Sequence, residues 1–175
     1  MLNKRNGFFG LKKSLHVFPT HPSTQVQSGY DLIEWNRRGQ WKNAYSEEVQ
    51  SILCFAEDIF GCQWALRKDH ICKLDPETGE VQWFADNFES WAEQILQNAE
   101  IETGWPLSQQ WIQKHSALPA NCRLNPKTLF ILGGSFTLDN LFAVEAAEGM
   151  RFRGDIARQI RDLPNGTQIM IAPRE

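Results

Sequence analysis

The four cysteines, Cys54, Cys62, Cys72 and Cys122, include no Cys-x-x-Cys pair. A zinc site of familiar spacing or a dithiol redox motif is therefore not expected. No apolar run approaches the ~20 residues of a spanning helix, so no membrane segment is expected. The first ten residues hold neither a continuous hydrophobic region nor a small-residue cleavage site, which argues against a signal peptide. Gly-x-Ser-x-Gly is absent, and Leu132-Gly133-Gly134-Ser135 is not followed by Gly-Lys-Ser/Thr. Neither a hydrolase elbow nor a phosphate-binding loop is expected, and that run reads as a tight strand-end turn. There is no internal repeat and no low-complexity segment. Reduced cysteine and the lack of a targeting signal together point to the cytoplasm.

What is present suits one domain: 175 residues, 42% of them hydrophobic and 22% charged. A chain of this length buries enough surface to fold without disulfides or metal. Seven tryptophans are many; they read as core residues before they read as an interface. The net charge of −3 is unevenly spread, because Lys4, Arg5, Lys12 and Lys13 stand in a stretch without acids, leaving −7 for the rest. An acidic body argues against nucleic acid and for a basic partner. The basic arm reads as a solvated terminus.

The stretch from Ile52 to Leu96 organises the chain. Ile52–Ile59, Gln63–Arg67 and His70–Leu74 read as successive strands, with Gly61 marking a bend. Asp75-Pro76-Glu77-Thr78-Gly79 carries turn chemistry and returns Val81–Phe84 antiparallel, a meander and not a crossover. Phe88, Trp91, Ala92, Ile95, Leu96 and Ala99 then form one apolar stripe, with Asp86 or Asn87 as the cap of the helix.

Before this unit, residues 1–28 read as an amino-terminal arm and loop with a short strand at Leu15–Phe18, and Tyr30–Trp35 as a strand or helix. After it, Pro106 suits the first turn of a helix ending near His115, and Pro119–Pro126 reads as a loop. Thr128–Leu132 is a β-prone run expected to pair with Leu141–Val144. Ala146–Arg161 reads as a helix and Gln168–Ala172 as a final strand. The expectation is α+β: a mainly antiparallel sheet covered by helices on one face, in a single domain spanning 29–175.

Candidate chemistry is sparse. His70 and Cys72 share a strand face with Cys62 nearby, the one trio worth testing as a metal- or cysteine-dependent hydrolase. Cys54, Cys62 and Cys72 fall inside expected strands, where thiols act as small hydrophobes. His16 and His21 flank Pro19 in a presumptive loop. Glu57 and Asp58 are adjacent on a strand and face opposite ways, so one is expected as a surface charge at the sheet edge and the two are not an acid–base dyad. Arg151, Arg153 and Arg158 read as a solvated helix face. No catalytic, cofactor or metal residues are assigned, and no cofactor is expected.

Three runs resemble a known family. Phe55-Ala56-Glu57-Asp58-Ile59-Phe60-Gly61 with Gln63, the turn Asp75–Gly79, and the helix opening at Phe88 and Trp91 resemble the core of the SUKH superfamily. So do Asn125-Pro126-Lys127-Thr128 through Gly133-Gly134 to Asp139-Asn140-Leu141, and Gly149–Gly154 to Asp162-Leu163-Pro164. The superfamily includes the yeast cell-wall assembly regulator linked to killer-toxin resistance, and many bacterial immunity proteins. Residues 1–45 do not show the Leu-Pro and aromatic pattern with which many members begin. The resemblance implies a non-catalytic protein that binds a toxin domain, such as a basic nuclease, as a monomer or weak homodimer without nucleic acid or membrane. Its alternative is a regulatory interaction domain with a non-toxin partner. It assigns no contact residue.

Overall fold

The computed structural model describes residues 6–21, 29–164 and 166–167. The expected final strand Gln168–Ala172 lies outside them. Strands β1 (Phe8–Gly10) and β2 (Leu15–Val17) come first, so part of the segment expected as arm and loop is sheet. Leu15 and Val17 are buried apolar residues at alternate positions, which is why this short run holds a strand. Residues of Tyr30–Trp35 resolve as a helical turn, α1 (Leu32–Trp35), capped by the Asp31 carboxylate accepting from the Glu34 amide at 2.7 Å. A second short helix, α2 (Glu47–Ser51), precedes β3 (Leu53–Asp58).

Strands β4 (Gln63–Arg67), β5 (His70–Leu74) and β6 (Val81–Ala85) continue the expected meander. Among the described residues, β1 to β6 form one six-stranded antiparallel sheet in sequential order. Here β2 pairs with β3 through Leu15↔Asp58, His16↔Glu57 and Val17↔Ala56. The fold is a single α+β domain.

Helix α3 (Phe88–Gln97) starts on a reciprocal cap: Asn87 Oδ1 accepts from the Ser90 amide, and Ser90 Oγ accepts from the Asn87 amide. Its buried stripe is narrower than expected. Trp91 and Ile95 pack on the sheet, whereas Leu96 is 73% exposed. Ala99 opens a separate helix, α4 (Ala99–Thr103), and α5 (Trp105–His115) follows with Pro106 in its first turn, as expected.

Helices cover both faces of the sheet, a correction to the one-sided arrangement. Strand alternation explains it: Phe55, Trp64, Ile71 and Phe84 bury against Trp91 and Ile95 of α3. Cys54, Ala65, Cys72 and Leu74 point the other way, into a core with Trp35, Trp41, Tyr45 and the final helix, α6 (Ala146–Ile160).

The second correction concerns residues 119–132. The expected loop contains β7 (Cys122–Pro126), and β7 pairs antiparallel with β8 (Leu141–Glu145). The β-prone run Thr128–Leu132 is instead a turn, with a 3-10 segment at Phe130–Leu132. Asn140 is the reason: its Oδ1 accepts from the Thr128 amide and its Nδ2 donates to the Thr128 carbonyl, both at 2.9 Å. Those bonds use the backbone groups a strand would have needed. Gly133 then turns the chain at φ +86°.

Candidate functional site

Glu57 and Asp58 are both buried, at 2% and 3% exposure, and neither is a surface charge at the sheet edge. Each is committed to the fold. Glu57 pairs with the Arg123 guanidinium and lies 3.1 Å from His16 Nδ1, while Gln63 Nε2 donates to its other oxygen at 3.2 Å. Trp35 Nε1 donates to Gln63 Oε1 at 2.8 Å, so the network runs from β2 through β3 and β4 to α1 and β7. Burial raises the Glu57 pKa, but Arg123 and His16 outweigh it and hold the carboxyl below its usual range. Burial pushes the His16 pKa down, and its ring stacks on Phe9 at 4.1 Å. Its Nε2 is buried with no hydrogen-bond partner. Nothing in this network reaches solvent.

Asp58 accepts from the Phe60 amide at 2.9 Å and the Cys62 amide at 2.8 Å, which fixes the β3–β4 turn. Desolvation moves its pKa up to about 6.

The trio of Cys62, His70 and Cys72 is not assembled. Cys62 lies in the β3–β4 turn and not in a strand. His70 pairs with Arg67 at the far end of the β4–β5 hairpin, about 13 Å or more away by strand rise. Cys72 is buried in the α6-side core. Burial raises the pKa of both thiols, so neither is a poised thiolate. Among the described residues there is no group of three or more His, Cys, Asp or Glu side chains that could hold a metal ion. No described helix is long and apolar enough to cross a membrane.

Among the described residues, a cleft of about 300 Å³ lies between the β5–β6 turn and the 130–136 segment. Phe60, Cys62, Glu77, Phe130, Phe136 and Arg153 line it. Phe130 and Phe136 stack in parallel at 3.9 Å, and Phe60 meets both edge-on. Phe136 is nevertheless 63% exposed. An adjoining groove of about 600 Å³ continues along Thr78, Ile131, Leu132 and Leu163. Ile131, Leu132 and Leu163 are exposed, so the two hollows share an apolar rim.

Two charged residues sit under this rim. Glu77, expected only as a turn residue, is buried; its Oε2 accepts from the Ile131 amide at 2.9 Å, and its Oε1 has no partner. Burial raises its pKa. Arg153, expected on a solvated helix face, is 1% exposed. It donates to the Phe60 carbonyl at 2.5 Å and the Gly149 carbonyl at 3.2 Å. Arg151 and Arg158 do face solvent, the first donating to the Gln40 carbonyl and the second to Asp155.

No protein-family model matches the chain. No curated protein matches it. Among solved structures it is similar to Atu4351 from Agrobacterium tumefaciens, at 14% identity and a TM-score of 0.47, over 82% of this chain and 67% of that one. A likeness of that extent carries no functional argument.

The cleft residues had no distinguishing signal in the sequence. Phe130 and Ile131 belong to a run that reads as a strand, and Glu77 to a run that reads as a turn. Arg153 sits among acids and other arginines, and only its position three residues beyond Met150, on the inward side of α6, separates it from Arg151.

Proposed function

We propose that this chain is a non-catalytic binding protein of the immunity type, which neutralises a toxin domain by direct contact. The observation that carries the reading is the exposed aromatic and aliphatic rim of Ile131, Leu132, Phe136 and Leu163 around the paired hollows. An apolar patch of this kind with polar surroundings suits a protein interface. Of the ionisable groups at the cleft, burial raises the pKa of the Cys62 thiol, and the Arg153 guanidinium is held by backbone carbonyls. The resemblance to SUKH proteins supports the same reading, as does the net charge of −3, which favours encounter with a basic partner.

The test is a tagged pull-down from the native source with mass spectrometry of what is retained. A stoichiometric partner whose nuclease or other toxic activity is silenced on binding is the expected result. A signalling or housekeeping partner in its place would replace this reading with the regulatory one.

A further inference from the structure

We propose that the cleft beneath Phe136 receives a basic side chain from the protein partner, with Glu77 as its counter-charge and the aromatic wall as the seat for its alkyl stem. That the occupant comes from a partner protein rests on the binding-protein reading above; the chemistry of the pocket stands by itself.

Three observations lead to it. The first is the Glu77 carboxylate: it lines the cleft at 4% exposure, its Oε2 accepts from the Ile131 amide with the Phe130 amide beside the group, and its Oε1 is buried without a hydrogen bond of good geometry. A buried acceptor with no donor is costly, and an incoming donor would satisfy it. The second is the charge balance. Asp75, Glu77 and Arg153 are the ionisable carboxylates and base lining the cleft, two negative against one positive. Arg153 lowers the Glu77 pKa through its charge but makes no ion pair with it, since its N–H groups go to the Phe60 and Gly149 carbonyls and the Met150 sulfur. One further positive charge neutralises the set, and a charged donor makes the stronger bond to a carboxylate.

The third is the wall. Phe60, Phe130, Phe136 and Ile131 surround the acid with apolar surface. A lysine or arginine matches both halves, because its methylene stem covers apolar area while the head reaches the charge. The open side of Phe136 also offers a ring face to a cation. A purely apolar anchor would fill the space and leave Glu77 Oε1 unsatisfied. A phosphate or carboxylate ligand would meet the same acid as a repulsive charge.

The probe is n-butylguanidinium, titrated at fixed ionic strength into the full chain and followed by amide resonances in two-dimensional NMR. Saturable shifts are expected at Glu77, Ile131 and Phe136. Glu77→Gln, which keeps an acceptor for the Ile131 amide, should weaken the binding at least about tenfold. Neutral n-butylurea should bind the wild type at least as much more weakly. Phe136→Ala, at an exposed position, should weaken it about two- to fivefold and serves if the Glu77 variant does not fold. No saturable shift in the cleft, equal binding by the urea, or affinity unchanged in both variants overturns the proposal. Such a failure leaves the pull-down result untouched, just as failure to recover a toxic partner leaves the fragment result untouched.

Discussion

The Glu57 carboxylate on β3 and the Arg123 guanidinium on β7 form an ion pair in which both side chains are about 2% to 3% exposed. This pair joins the six-stranded sheet to the two-stranded one, beside the backbone bond from the Leu124 amide to the Ile59 carbonyl at 2.9 Å. Removing one buried partner strands the other charge. Glu57→Gln should therefore destabilise the protein by about 3–5 kcal/mol, measured by urea unfolding. Glu57→Gln combined with Arg123→Met should recover much of that loss. The pH sign follows from the lowered Glu57 pKa: its contribution is present above the ordinary carboxylate value and is lost as pH falls through the folded one.

Asp58 has the opposite sign. Its folded pKa of about 6 lies above the unfolded value of 3.8, so the fold binds its proton more tightly and Asp58 loses stability as pH rises through that window. Asn in its place can still accept from the Phe60 and Cys62 amides. Asp58→Asn should melt at or above the wild-type temperature at pH 7, with a gain of up to about 3 kcal/mol. The advantage should shrink toward pH 4. Thermal melts at the two pH values decide it.

Gly104 separates α4 from α5 at φ +66°, and a methyl there would collide with the Phe60 ring and come within 2.9 Å of the Ile59 side chain. Both the left-handed backbone and the contact oppose any side chain. Gly104→Ala should lower stability by about 2–4 kcal/mol in urea, and it should shift Phe60 at the floor of the cleft.

The sequence pattern makes the central meander, the Asp75–Gly79 turn, α3 and α6 legible, because each is specified by local periodicity or turn chemistry. Other features depend on partners distant in sequence. Pro126 and the polar Asn125 make residues 122–126 look like a loop, and only pairing with Leu141–Glu145 makes them a strand. Thr128–Leu132 has strand composition, but Asn140 takes its first backbone groups, and Phe130 and Ile131 become a wall of the cleft. Residues 8–17 join the sheet through β3, forty residues on. The burial of Glu57, Asp58, Glu77 and Arg153 is invisible locally, since charge normally predicts exposure.

On the proposed binding role, the cleft lets binding be tested apart from stability. Phe136 is 63% exposed; its ring stacks on Phe130 and meets Phe60 edge-on. Truncating it should change stability by less than about 1 kcal/mol. An exposed aromatic at the centre of an interface carries a larger share of binding, about 2 kcal/mol or more.

Isothermal titration of the recovered partner into wild type and Phe136→Ala, with melting temperatures measured on the same samples, tests the binding role of the cleft most directly. The predicted result is affinity weakened by at least about thirtyfold with the melting temperature essentially kept. Equal affinity for the two proteins would contradict it and place the partner on another face.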